Sequence, residues 1–285
     1  MNIHLKIQLL LVLFFTSIFL NSGCAGNSTF AEQKSSIQTQ SQDANTPSKA
    51  SLKSIIDKSI EDFKKFPGRI LSDSKTTFTK PDNMAALLLA GGASIVMNQD
   101  ADDKIKEYFD EHSKLYNWKD ESLNIIGSPT TQMAATSVWY FLSSQNNDKL
   151  NNERAWTMRT ALTITWLATA ALKTARNNDT PNGKDRAWPS GHTASSFTFA
   201  SVLDEYYGPK VGIPAYAVAS LVGYRMMDTG DHWGSDVLFG ATLGWVVGHT
   251  VAGKEKNRTI GGFDIVPFVP DSERPAIGIG FVKRF

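Results

Sequence analysis

Apolar residues recur along most of this chain with the three-to-four-residue period of amphipathic helices, and no run of alternating strands interrupts them before the tail. From Leu52 onward, Ile55, Ile56, Ile60 and Phe63 share a face with Lys and Asp opposite, and Pro67-Gly68 predicts the end of that helix. Pro81-Asp82 opens an apolar segment from Met84 to Met97, and Asp102 to Tyr116 reads as a charged amphipathic segment with Ile105, Tyr108 and Phe109 inward. Ser128-Pro129 starts a helix through Met133, Val138, Trp139 and Leu142, and a long one follows from Asn151 or Asn152 to about Ala175. Another passes through Phe197, Ala200 and Leu203 to Tyr207, where Gly208-Pro209 stops it, and the last runs from about His232 to Val251. There is no internal repeat. The pattern predicts an all-α fold, a packed helical bundle. At the tail, Phe263 to Val269 and Ala276 to Phe285 predict two short strands around a Pro-Asp-Ser-Glu-Arg-Pro turn. Two strands cannot close a barrel, so they are read as a C-terminal β-hairpin.

The N-terminus belongs to a different class of segment. Lys6 precedes an apolar run from Leu9 to Leu20, and the small residues Ser22, Gly23, Ala25 and Gly26 follow, a secretory signal pattern. The chain's one cysteine, Cys24, stands directly after Asn21-Ser22-Gly23. This resembles a bacterial lipoprotein signal, which implies cleavage at Cys24 and its acylation as a lipid anchor. Leu20 stands one place earlier than that pattern has it, and ordinary cleavage after Ala31 is the alternative. Ala31 to Ala50 is rich in Ser, Gln, Asn and Thr and reads as a disordered tether. The expected organisation is a signal peptide over 1–24, a tether over 25–51, a helical domain over 52–255 and an extension over 256–285. The expected location is the bacterial cell envelope, periplasmic and lipid-anchored to a membrane.

Composition removes several function classes. A formal net charge of +1 over 285 residues makes no basic field, so nucleic acid is not a partner. The mean hydropathy of -0.22 argues against a polytopic membrane protein. Trp156 to Leu172, interrupted by Arg159, and the glycine-containing stretch Val237 to Ala252 read as buried helices of a bundle. A single cysteine excludes an internal disulfide and a thiolate metal cluster. Asp100, Asp102 and Asp103 lack the glycine and distal glutamate of an EF-hand loop, and read as a solvated helix N-terminus. His112, on a charged helix, reads as a surface residue, and His249 as a helix-end residue.

Candidate chemistry concentrates between Lys173 and Asp236. Pro189 fixes the chain just before a helix, so Ser190 and Gly191 place a hydroxyl and an unobstructed N–H at the helix start, an anion site. His192 lies in the first turn of that helix. His232 and Asp236, four apart, are expected on one face, where the carboxylate can orient the imidazole and leave its other nitrogen free. A purely structural His–Asp pair fits these residues equally well. Lys173 and Arg176 end a long helix, where cations also complement the dipole.

These residues form three blocks in order: Lys173 with Thr180-Pro181, then Pro189-Ser190-Gly191-His192, then Arg225, His232 and Asp236. Together they resemble the type 2 phosphatidic acid phosphatase superfamily, which includes bacterial class A acid phosphatases and is related to vanadium haloperoxidases. The resemblance covers about Lys173 to Asp236. It implies His232 as nucleophile on phosphorus, Asp236 as its orienting partner and His192 as general acid, with Lys173, Ser190, Gly191 and Arg225 holding the phosphate. It implies no metal and no cofactor. The expected substrate is a phosphorylated lipid or a small phosphoester, hydrolysed through a phosphohistidine. Two departures stand out. The family's arginine before proline is Thr180, for which Arg176, Lys184 or Arg186 could substitute, Arg176 first because it lies one turn from Lys173. The family's serine of the third block is Tyr224, and six residues instead of five separate Arg225 from His232, which a bulge at Asp228-Thr229-Gly230 would absorb. The rival readings are a vanadium-dependent haloperoxidase and a non-catalytic envelope protein that binds phosphate.

Overall fold

Helix-forming pattern becomes helix over most of the chain. The computed structural model describes residues 51–112, 115 and 118–253, and the backbone of 259–260, 263–268 and 278–282. The signal segment, Cys24 and the tether lie outside the described residues. The helices are α1 (Leu52–Thr79), α2 (Pro81–Asp100), α3 (Asp102–Glu111), α4 (Trp118–Gly127), α5 (Pro129–Gln145), α6 (Lys149–Arg176), α7 (Gly191–Tyr207), α8 (Pro209–Asp228) and α9 (Gly234–Ala252).

Two local expectations change. Helix α1 does not end at Pro67-Gly68 but continues to Thr79. A proline inside a helix removes one N–H and crowds the preceding turn. Here tertiary contacts on both sides of it outweigh that: the Phe66 ring lies 5.0 Å from that of Trp156, and Arg69 reaches Glu153 at 2.7 Å and Thr157 at 2.6 Å. Helices α4 and α8 were not separately legible in the apolar pattern. Helix α8 begins directly at Pro209, because Gly208, at φ 75, turns the chain and lets proline occupy the first helical position.

Helix α9 is the centre of the bundle and packs against α7 most extensively, and also against α2, α6 and α1. Met158, Ile164, Val202, Leu243, Val246 and Val247 are buried between them. The close approach of α9 to α7 depends on Gly240, Gly244 and Gly248, which share one face. A Cβ at Gly244 would stand 2.1 Å from the carbonyl oxygen of Ala194, and one at Gly240 would stand 2.7 Å from that of Ser190. Backbone meets backbone there. That contact carries the start of α7 against the start of α9, where the candidate site lies.

Asp102 departs from its expected place in solvent. It is 2% exposed, and its carboxylate accepts from the Ser235 N–H at 2.9 Å, the Ser235 hydroxyl at 2.6 Å and Asn98 Nδ2 at 3.2 Å. The acid at the start of α3 therefore caps the start of α9, satisfying an N–H that helix geometry leaves without an internal partner. Asp102→Ala is expected to cost about 2 kcal/mol or more, since it strands two buried donors. A lowered urea midpoint would show this, and an unchanged midpoint would contradict the capping role.

Several exposed surfaces are apolar. On α2, Met84, Leu88, Leu89, Ile95 and Val96 are exposed, and no charged residue falls between Asn83 and Gln99. Ile213, Val218 and Leu221 of α8 and Trp166 and Leu167 of α6 are exposed as well. Among the described residues no helix is long and apolar enough to cross a membrane. Residues from Gly253 onward form a second unit. In it, β1 (Thr259–Ile260), β2 (Phe263–Phe268) and β3 (Gly278–Val282) pair antiparallel in the order β1-β2-β3, with Phe268 opposite Gly278. The expected hairpin is β2–β3, with β1 added at its edge.

Candidate active site

Three turns of backbone bring the candidate residues together. Ser190 N-caps α7, its hydroxyl accepting from the Thr193 N–H at 3.4 Å, and its own N–H donates to the Asp236 carbonyl at 3.1 Å. This bond ties the start of α7 to the start of α9. The His232 N–H donates to the Met226 carbonyl at 3.0 Å, folding the 229–233 turn back on the end of α8. The extra residue between Arg225 and His232 is taken up in this turn, where Gly230 has φ 69.

His232 precedes α9 instead of lying within it, a small correction to the sequence expectation. It is 9% exposed, and its Nδ1 lies 3.6 Å from Asp236 Oδ2, just beyond hydrogen-bonding distance. Asp236 is fully buried, and Oδ2 accepts from the Trp233 N–H at 2.9 Å. Among the described residues His232 Nδ1 and Asp236 Oδ1 have no hydrogen-bond partner. Two buried polar groups this close and still unjoined could be drawn together on ligand binding, as catalytic hydrogen bonds commonly are.

His192 lies in the first turn of α7, within electrostatic reach of His232, Arg225, Asp231 and Lys173. Burial pushes its imidazole down to about 4, and the neighbouring His232, Arg225 and Lys173 add to that while Asp231 opposes it. Between its ordinary value of 6.5 and about 4, the unfolded chain therefore binds more protons than the folded one. The stability contributed by neutral His192 is complete above that window and is lost as the pH falls through it. His192→Gln is expected to flatten the decline in Tm between pH 6.5 and pH 4. Equal declines in both proteins would contradict the burial of this imidazole.

The cations are placed unequally. Lys173 reaches the carbonyls of Arg186 and Ala187, the latter at 3.0 Å. Burial lowers its pKa, with Asp236 opposing. Arg225, 8% exposed, donates from Nε to Asp120 and from Nη1 to Asp231, both at 2.7 Å. Arg176 lies over the Trp188 ring at 5.2 Å and donates to Asn98 at 3.3 Å. Lys184 pairs with Asp231 at 2.8 Å. Burial alone would raise the Asp231 carboxyl, but hydrogen bonds from Lys184, Thr229 and Asn182 and the charge of Arg225 hold it well below the usual carboxylate range. Thr180 is buried and folds the 180–184 turn by accepting the Lys184 N–H at 2.8 Å. The guanidinium of Arg186 has no partner among the described residues.

Ser190 is fully buried and its hydroxyl bonds Thr193, so it serves the helix cap and does not face an open cavity. The N–H groups of Gly191 and His192 find no acceptor among the described residues, leaving two donors at the positive end of α7. Among the described residues no group of three His, Cys, Asp or Glu is placed to hold a metal ion. His112 is exposed and stacks on Tyr108 at 4.1 Å. His249 pairs with the buried Glu205 at 2.7 Å, away from the candidate site. Asp120 and Asp102 reach the site's residues from α4 and α3. No sequence motif marks either.

Residues 168–259 match the PAP2 superfamily. The lipid A 1-phosphatase of Porphyromonas gingivalis is 42% identical over 65 residues, 22% of this chain and 15% of that protein. The chain thus matches only a small part of that relative. Among solved structures, a transmembrane PAP2 type phosphatidylglycerolphosphate phosphatase from Bacillus subtilis gives a TM-score of 0.41 at 17% identity, covering 68% of this chain and 94% of that one. LpxE from Aquifex aeolicus gives 0.34 at 22% identity, covering 48% and 96%.

Proposed function

With residues 168–259 belonging to the PAP2 superfamily, we propose that this chain is an exported phosphatase that hydrolyses phosphomonoesters or pyrophosphates of lipids through a phosphohistidine. The observation that carries this reading is the meeting of two helix starts. His192 and the free N–H groups of α7 stand beside His232, Asp236, Lys173 and Arg225.

In the first step His232 Nε2 attacks phosphorus as the bond to the leaving oxygen breaks, and His192 gives that oxygen its proton. Asp236 holds the Nδ1 proton and stabilises the charge that forms on the ring, which needs the 3.6 Å gap to close. In the second step water attacks the phosphohistidine, His192 takes up the water's proton, and phosphate leaves with His232 restored. His192 is neutral in the substrate-free site, and a phosphate dianion beside it supplies the opposing charge that lets it take up a proton. The N–H groups of Gly191 and His192, with Arg225 and Lys173, would face the phosphoryl oxygens.

A lipid substrate is favoured by the apolar residues exposed on α2 and α8, since apolar patches of this kind mark interaction surfaces. It is favoured also by the matched relative, which is a lipid A 1-phosphatase. Export and anchoring through Cys24 would hold the domain near such a substrate. The test is to mix the protein with radiolabelled phosphatidate in detergent micelles containing EDTA and quench rapidly. An acid-labile, base-stable phosphoenzyme is expected, as a phosphoramidate requires. Phosphate release with no such intermediate, in a protein equally active without His232, would overturn the mechanism.

A further inference from the structure

The phosphate-facing arginine of this site is held from outside the PAP2 segment. Arg225 is almost wholly buried, and a buried guanidinium is stable only when its charge and donors are matched. Two carboxylates match it. Asp231, from the turn after α8, takes Nη1 at 2.7 Å and is itself fixed by Lys184, Asn182 and Thr229. Asp120, in the first turn of α4, takes Nε at 2.7 Å from a position 105 residues away in sequence. The remaining nitrogen, Nη2, has no partner among the described residues. A planar fork pinned at two nitrogens can present its third in only one direction.

We propose that Asp120 is a positioning residue for phosphate binding: by holding Nε of Arg225 against α4, it aims Nη2 at the substrate's phosphoryl oxygens. The proposal rests on the phosphatase reading above. A simpler role exists for an acid in the first turn of α4, which is to stabilise the helix start. That role predicts a change in stability alone. Positioning predicts a change in phosphate affinity, with the conservative amide recovering most of it, since an amide oxygen still accepts from Nε.

The experiment compares the full-length wild type with Asp120→Ala and Asp120→Asn. It measures phosphatidate hydrolysis in detergent micelles, competitive inhibition by inorganic phosphate, and calorimetric binding of inorganic phosphate, with a thermal melt for each protein. For Asp120→Ala the inhibition constant and KM are expected to rise about tenfold, with kcat within about threefold and a cooperative melt retained. For Asp120→Asn both constants are expected within about threefold of wild type. Unchanged phosphate affinity in the alanine variant would overturn the inference, as would tighter binding, which would make Asp120 a competitor for the site. An amide as impaired as alanine would overturn it too. A wild type that hydrolyses phosphatidate while all three proteins bind phosphate alike sinks this inference alone. A wild type that neither hydrolyses phosphatidate nor binds phosphate sinks the functional reading with it.

Discussion

With His232 replaced by alanine, phosphate release from phosphatidate is expected to fall about 10⁴-fold or more, the scale seen when a nucleophile is lost from a covalent mechanism. The substitution removes the nitrogen proposed to attack but leaves the cations and helix N–H groups proposed to face the phosphate. Affinity for inorganic phosphate should therefore stay within about threefold of wild type. His232 is not part of the apolar core cluster, so its truncation leaves the core residues of α6, α7 and α9 in place. Calorimetry with phosphate and a rate assay on the same preparation separate the two effects. Loss of binding along with turnover would point instead to a structural role for the His232–Asp236 pair, the reading that the residues alone left equally open. Full retention of turnover would remove His232 from the mechanism altogether.

Gly244→Ala is expected to be the most damaging conservative substitution in the helical domain. Its Cβ would have to occupy a point 2.1 Å from the Ala194 carbonyl oxygen and 2.9 Å from the Thr198 nitrogen. Those are backbone atoms in the middle of α7, so no side chain can rotate out of the way and the two helices must part. Overpacking of this kind costs about 3 kcal/mol or more, and the roughly 1 kcal/mol that alanine gains over glycine in a helix offsets only part of it. A net loss near 2 kcal/mol lowers Tm by about 4–8 °C in a domain of this size. Activity is expected to fall as well, since parting α7 from α9 strains the bond from the Ser190 N–H to the Asp236 carbonyl. Gly92, where a Cβ would meet nothing within 4 Å, is the control: alanine there should leave both quantities unchanged or slightly raise Tm. Equal melting of the two variants would refute the backbone contact.

The amino-acid sequence by itself determined the class of fold of this protein and pointed to the stretch in which the candidate residues lie. Apolar periodicity marks most of the helices because each must bury one face, and that demand is written locally at every third or fourth residue. The Pro-Ser-Gly-His turn is legible for the same reason: the proline, cap hydroxyl and glycine act within four consecutive positions. His232 and Asp236 are near in sequence and so near in space. Where a local signal met a competing contact over a long distance, the sequence misled. Pro67 reads as a helix end, yet α1 passes through it because Phe66 and Arg69 are held by α6. Asp102 reads as solvated, since acids at helix starts usually are, but the docking of α3 on α9 buries it against Ser235. Helix α4 and its Asp120 carry no motif.

Only the tertiary structure decided which partner each cation meets. Arg176, the nearest substitute in sequence for the missing arginine, is drawn to Trp188 and Asn98, and Lys184 is drawn to Asp231. Arg225 is hydrogen-bonded by an acid 105 residues away. The reason is that a long charged side chain has many rotamers of similar energy, and its direction is set by the partner that the fold brings within reach. Spacing along the chain places the Cα; the packing of α4, α8 and α9 chooses where the charge points.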